Sequence, residues 1–175
     1  MEYSEFPGFL TSRSSVREYE DRPLLDEEIE YILSCAGTAP SAGNLESWDV
    51  VVVTDEEVRD ALADAAFGQE HVGQAPALFV VCANYVRSMS QYGERGILYA
   101  LEDATIACTY MMLAAHARGL CSCWTGAFED DEVREVLGLP PHIRPVAILA
   151  AGHGHAPVKL AGRMDIGEHV HRDVW

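Results

Sequence analysis

The sequence predicts a central β-sheet surrounded by helices, in a domain of the α+β or α/β class. Helix-like and strand-like segments intermingle along the chain, and no internal repeat, low-complexity tract or linker interrupts them. The 175 residues are 49% hydrophobic, which is ample for a core without disulfides or metals. We therefore expect residues 1–175 to form a single domain.

The first half of the chain contains two predicted helices and one predicted strand. Residues 24–37 place apolar side chains at helical spacing, with Asp26 as the expected N-cap and Gly37 as the end. The β-branched run WDVVVV, Trp48–Val53, predicts a buried strand. A helix should follow over residues 54–68, with a capping box formed by Thr54 and the glutamate three residues later.

The second half continues the alternation around one long apolar helix. Residues 97–119 stay apolar on several helix faces, so this helix must be covered on most sides by the core or by a partner subunit. The other predicted elements are strands over 77–83, 120–125 and 145–152 and a short helix over 130–138.

Charge and hydropathy exclude several classes of protein. The net charge is −16, so nucleic acid and anionic membrane surfaces should be repelled. We find no apolar run of the roughly 18–20 residues that a membrane span needs. The start MEYSEFPGFL has no basic region followed by an apolar one, which predicts no secretory signal and a cytoplasmic location.

Common catalytic and metal motifs are missing or incomplete. The chain has no G-x-x-x-x-G-K-[ST] phosphate loop and no G-x-S-x-G elbow, and GHGHAP carries Pro at the third glycine position of a dinucleotide fingerprint. The five cysteines are odd in number and lie in apolar segments, so we expect reduced core thiols. Three pairs of possible metal ligands have spacings unlike zinc sites, and we expect no metal: Cys121 and Cys123, His153 and His155, His169 and His171.

The segment SRSSVREYE concentrates cations and hydroxyls in an otherwise acidic chain. Two guanidinium groups and two hydroxyls within five residues suit a phosphate monoester. These residues are Arg13, Ser14, Ser15 and Arg17. A helix end whose arginines pair with Glu18, Glu20 or Asp21 is the alternative interpretation of the same segment.

Four segments in order resemble the nitroreductase family of FMN-dependent oxidoreductases. They are RSSVREY, APSAGNLESW, GLCSCWTGAF and AILAAGHGHAP with the GR that follows, and together they run from about Phe9 to Arg163. The resemblance implies an α+β sandwich whose mostly antiparallel sheet is flanked by helices. It also implies a homodimer, with the long helix buried at the interface and two FMN sites.

The resemblance assigns a role to each matched position. The first run would hold the flavin phosphate and part of the ring edge through Arg13, Ser14, Ser15 and Arg17. The second would lie along the flavin of the neighbouring subunit and comprises Pro40, Ser41, Ala42 and Asn44. The backbone of Thr125 and Gly126 would face the reactive N5 edge, and Arg163, with Lys159 as second choice, would return to the phosphate.

The same resemblance implies the activity and leaves alternatives open. NADH or NADPH would deliver hydride to flavin N5, and a nitroaromatic, a quinone or a similar small molecule would then collect the electrons, with no catalytic side chain. A flavin-binding sensor, a flavin-fragmenting protein and a metal-containing interaction protein are the alternatives. Glu46 and Ser47 depart from the family's Gln and Pro, and residues 84–96 are the one candidate roof for a substrate pocket. We expect the apolar tail, with Val170, Val174 and Trp175, to cover a partner subunit.

Overall fold

The computed structural model describes residues 5–156 and 162–175. Within them the chain forms a four-stranded antiparallel sheet and seven α-helices, which confirms the α+β class. The helices are α1 (Phe6–Ser12), α2 (Asp26–Ala36), α3 (Glu56–Ala65), α4 (Glu70–Gln74), α5 (Tyr85–Tyr92), α6 (Gly96–Ala117) and α7 (Asp130–Leu137). The strands are β1 (Trp48–Val53), β2 (Ala77–Asn84), β3 (Cys121–Thr125) and β4 (Ile143–Gly152).

The strand order β1-β2-β4-β3 places β2 and β4 in the centre of the sheet. Their apolar runs are buried on both faces, as expected for central strands. β1 and β3 are the outer strands, and the segment after α1 extends the sheet beyond β3 through a parallel bridge between Ser15 and Ser122. Two of the predicted site segments therefore lie near the two edges of the sheet.

Helices cover both faces of the sheet, and α6 is the central one. It packs against all four strands and against α2 and α5, and its sheet-facing side is rich in small residues such as Ala100, Ala104 and Ala107. Small side chains let the helix axis approach the sheet closely. α3, α4 and α7 cover the opposite face around Leu62, Val72 and other buried residues.

The prediction that no apolar run is long enough to span a membrane is wrong. The helical stretch Tyr85–Ala117 is long and apolar enough to span a membrane by length and composition. α6 nevertheless packs on the sheet, where nine of its 22 residues are buried and six of these belong to the hydrophobic core. Its composition is therefore that of a core helix.

Two predicted helix caps are wrong by one residue. α2 begins at Asp26 itself, and the Glu28 carboxylate accepts a hydrogen bond from the N–H of Leu25 at 2.8 Å. α3 is capped by Asp55, whose carboxylate accepts the N–H of Val58 at 3.1 Å, and not by Thr54. In each case a carboxylate near the first turn satisfies a free backbone donor, which is also favourable for the helix dipole.

The cysteines are free thiols, as expected for reduced core residues. Cys82, Cys108 and Cys123 are buried, whereas Cys35 and Cys121 are half-buried. Burial raises the pKa of Cys82 to about 12, so this thiol stays protonated and unreactive.

We predict that Gly96→Ala destabilises the protein although alanine is the better helix former. A methyl group on Gly96 would lie 2.6 Å from the backbone nitrogen of Met89, so α5 and α6 would have to separate. The expected loss is about 1–3 kcal/mol in the free energy of unfolding, measured by urea denaturation. Gly8 in α1 is the control, because a methyl there meets nothing within 4 Å and Gly8→Ala should stabilise by up to about 1 kcal/mol. Equal effects of the two substitutions would contradict the close contact of α5 and α6.

Candidate active site

The segment from Arg13 to Arg17 runs beside β3 and carries the first set of predicted site residues. The N–H of Val16 donates to the carbonyl of Ser122 at 3.0 Å, next to the bridge between Ser15 and Ser122. Because neighbouring side chains of an extended segment point to opposite sides, Val16 is buried while Ser15 and Arg17 are exposed. The sheet edge thus presents the polar residues of this segment to the outside.

The two arginines of this segment have no carboxylate partner in the part of the chain that the structure describes. Among residues 5–156 and 162–175, neither Arg13 nor Arg17 makes an ion pair, and Glu20 instead lies 3.6 Å from His155. The Oγ of Ser14 is shielded from solvent and has no hydrogen-bond partner in the same part of the chain. The ion-paired helix end is therefore not what the structure shows, and the cluster retains its capacity for an anion.

The end of β3 brings Thr125 to the same cluster. Burial, above all, raises the pKa of Cys123, and this is opposed by the charges of Arg17 and Arg13 and by hydrogen bonds with Ser15 and Thr125. Cys123 is thus a common neighbour of four predicted site residues. The structure therefore brings together the cationic segment and the strand end that the resemblance had placed at one cofactor.

His71 belongs to this cluster and was missed in the sequence. Its Nε2 lies 2.8 Å from the Oγ1 of Thr125, and both side chains are buried. Burial first and the positive charge of Arg17 second lower the pKa of His71, so the imidazole is neutral at pH 7. Its partner is 54 residues away, and no local pattern in GQEHVGQ signals the contact.

The second set of predicted site residues, Pro40 to Asn44, lies in the loop of residues 40–47, which leads into β1. Gly43, Asn44 and Glu46 have φ angles of 59°, 58° and 48°, a left-handed conformation that is costly for the two non-glycine residues. A methyl group on Gly43 would collide with the hydroxyl of Tyr92. This close approach and the turn explain why the loop needs small residues.

One buried and one exposed side chain hold this loop through hydrogen bonds to its backbone. Asp103 of α6 accepts the N–H of Ala42 at 2.8 Å and the N–H of Ser47 at 3.1 Å. Arg87 of α5 donates to the carbonyl of Glu46 and, at 3.0 Å, to that of Trp48. α5, within the predicted pocket roof, therefore packs against the loop, and Glu46 contributes its backbone to that contact.

A single chain does not bring the two sets of predicted site residues, 13–17 and 40–44, close to each other. The 13–17 segment lies outside β3 and the 40–47 loop enters β1, four strand spacings or about 19 Å away across the sheet. No hydrogen bond joins the two segments within the described ranges. This separation is consistent with the expectation that the two sets come from different copies of the chain.

The remaining predicted site residues are Gly126, Arg163 and Lys159. Gly126 is exposed directly after β3, and Arg163 is exposed and makes no ion pair within the described residues. Lys159 lies outside the described residues. A cavity of about 350 Å³ lies elsewhere and contains no predicted site residue; it is lined by Glu20, Asp21, Arg22, Pro23, Leu24, Asp26, Ile29, Thr54, Arg59, Gln74 and Pro76.

The ligand pairs considered for a metal are arranged as follows. Cys121 and Cys123 lie on the same face of β3, because residues two apart in a strand share a face. His153 lies 3.6 Å from the Glu28 carboxylate. Over residues 5–156 and 162–175, no group of three or more His, Cys, Asp or Glu side chains is arranged to hold a metal ion.

Comparison with known proteins identifies the family. The model of the nitroreductase family matches residues 10–70 and 67–153, and the chain belongs to this family. It is 36% identical over 173 residues to a putative NADH dehydrogenase/NAD(P)H nitroreductase of Archaeoglobus fulgidus, covering 95% of this chain and 96% of that protein.

Two further relatives carry names that mention a cofactor. A Bacillus subtilis protein named FMN reductase (NADPH) is 29% identical over 168 residues, which cover 88% of this chain and 66% of that protein. The solved structure of an NADPH:FMN oxidoreductase from Vibrio harveyi, complexed with NAD+, superposes with a TM-score of 0.88 at 25% identity. That match covers 97% of this chain and 77% of the other.

We predict that His71 makes the stability of the protein fall as the solution is acidified. Its pKa in the folded protein lies below the ordinary 6.5, so the unfolded chain binds a proton first as the pH falls. The free energy of unfolding should therefore decrease from about pH 6.5 down to the folded pKa. Urea denaturation at pH 7.5 and 5.5 should show a smaller loss for His71→Gln than for the wild type. His169→Gln, at an exposed position, should keep the wild-type loss, and an unchanged loss in His71→Gln would contradict the prediction.

Proposed function

We propose that this chain is an FMN-dependent oxidoreductase that transfers hydride equivalents from NADH or NADPH to a nitroaromatic, a quinone or a similar small acceptor. The observation that carries the proposal is the cluster at the β3 edge, where two arginines that have no carboxylate partner in the described residues lie near Cys123. The family and the names of the FMN reductase and the NADPH:FMN oxidoreductase support the choice of cofactor.

The residues at the β3 edge fit the phosphate of FMN. Arg13 and Arg17 would supply guanidinium donors, and Ser15 an exposed hydroxyl. Ser14 has an unsatisfied hydroxyl that a phosphate oxygen would satisfy after rotation of the side chain. Arg163 of the C-terminal segment, or Lys159 as second choice, would add a further positive charge beside the phosphate.

The other predicted residues would fix the ring system. A bound flavin would supply the redox chemistry, namely alternating half-reactions with NAD(P)H as donor and with the small-molecule acceptor. The backbone of Thr125 and Gly126 would hold the ring edge, and Arg17 would stabilise negative charge there. Pro40, Ser41, Ala42 and Asn44 of a neighbouring copy would lie along the ring.

The position of the two sets of residues near opposite edges of one chain supports a homodimer. Exposed apolar side chains are available to bury at an interface, including Leu98 of α6 and Val174 and Trp175 in the tail. We further propose that the chain acts as a single FMN-binding domain in the cytoplasm.

The first experiment is a titration with FMN followed by absorbance and flavin fluorescence. We expect about one FMN per chain. Arg13→Ala should weaken binding by about tenfold to a hundredfold, because it removes charge-assisted hydrogen bonds of about 1.5–3 kcal/mol. Arg22→Ala, which removes an exposed charge outside the predicted site, is the matched control. Absence of FMN binding by the wild type, or equal losses in both variants, would reject the proposed site.

The second experiment separates the oxidoreductase from a flavin-binding sensor or flavin-fragmenting protein. Oxidation of NADH and NADPH is followed at 340 nm with menadione or nitrofurazone as acceptor and with FMN bound. We expect turnover with one or both donors. Stoichiometric FMN binding without turnover under these conditions would favour the sensor or fragmenting alternative.

A further inference from the structure

Asp103 is a carboxylate in an unusual place, within the apolar core helix α6. Its side chain is 2% exposed, and it is the one carboxylate at least 95% buried in the described residues. A buried carboxylate is costly unless hydrogen bonds satisfy it. The neighbouring Glu102 is exposed, so the helix turns one acid of the pair inward.

The two oxygens of Asp103 bind the two ends of the 40–47 loop. Oδ1 accepts the N–H of Ala42 at 2.8 Å, and Oδ2 accepts the N–H of Ser47 at 3.1 Å. One rigid carboxylate therefore sets the separation between the start and the end of the turn. Ser47 occupies a position where a proline, which has no N–H, could not make the second of these bonds.

The turn between these two anchors is the strained part of the loop. Asn44 and Glu46 have positive φ angles, and the Ser41 hydroxyl accepts the N–H of Glu46 at 3.0 Å within the turn. Such conformations persist only where surrounding contacts hold them. The side chain of Asn44 makes no hydrogen bond within the described residues, and it is exposed at the top of the turn.

We propose that Asp103 is a positioning residue, which holds the 40–47 loop in its left-handed conformation so that Asn44 is presented in a fixed orientation to the ligand. The part of this proposal that concerns the ligand rests on the proposed function, with FMN bound between two copies of the chain. The part that concerns the loop does not depend on FMN. Asp103 touches no ligand and acts through the backbone of Ala42 and Ser47.

The test compares Asp103→Asn with Glu102→Gln, which removes the same charge one residue away on the exposed side of α6. An asparagine keeps the shape but offers a single acceptor oxygen, and its NH₂ group would face the second N–H, donor against donor. Amide hydrogen exchange by NMR, in protein without FMN, measures the loop directly. We expect the amides of Ala42 and Ser47 to exchange at least about tenfold faster in Asp103→Asn and to be unchanged in Glu102→Gln.

The functional readout is FMN affinity, measured at a temperature where circular dichroism shows each variant to be fully folded. We expect Asp103→Asn to bind FMN about tenfold more weakly, or about 1.4 kcal/mol at 25 °C, and Glu102→Gln to bind it like the wild type. Faster exchange with unchanged FMN affinity would overturn the positioning role and leave a purely structural one. Unchanged exchange in Asp103→Asn would overturn the proposal altogether. If the wild type binds no FMN, the proposed function fails, while the exchange experiment still decides whether Asp103 holds the loop.

Discussion

The pairing of the 13–17 segment with the outer edge of β3 is the contact on which the candidate site depends. The hydrogen bond from Val16 to Ser122 fixes the register, and the register decides which side chains face outward. A shift by one residue would turn Ser15 and Arg17 inward and expose Val16. The same pairing brings both arginines near Cys123 and Arg17 near His71, and these charges influence the pKa values of the two side chains. The chemistry of the cluster is thus a consequence of a sheet register and not of one unusual residue.

The sheet order imposes a second constraint. β1 and β3 lie at opposite edges, so the loop before β1 and the segment beside β3 are separated by the width of the sheet. α6 crosses the sheet between them and carries Asp103, which holds that loop. The outer side of the same helix exposes Ile97 and Leu98. A second copy that packs on this side would place α6 in the interface. Through Asp103, α6 would then also set the shape of the 40–47 loop, which the interface would bring to the ligand of the other subunit.

Secondary-structure elements, which depend on neighbouring residues, were predicted from the sequence. Contacts between residues far apart in the chain were missed. The β-branched run of β1, the apolar periodicity of α2 and the long apolar run of α6 predicted these elements, because burial patterns are local. The helix starts at Asp26 and Glu56 differed by a residue from expectation, since several carboxylates compete to satisfy the first turn. The arginines and serines of residues 13–17 were found because they are contiguous. The bonds from His71 to Thr125 and from Asp103 to Ala42 join residues 54 and 61 positions apart, and no periodicity encodes them.

The net charge of −16 and a site for an anion are compatible because electrostatic interactions in salt solution are short-ranged. Eight of the 28 acids lie in the first turns of α2, α3 and α7, where they favour the helix dipoles. At physiological ionic strength the Debye length is about 8 Å, so acids beyond that distance act weakly on an anion at Arg13 and Arg17. The overall field should still slow the approach of FMN and of NAD(P)H. For the proposed binding of FMN, we therefore expect moderate salt to raise the association rate by screening this repulsion, and to weaken the contact of the phosphate with the arginines.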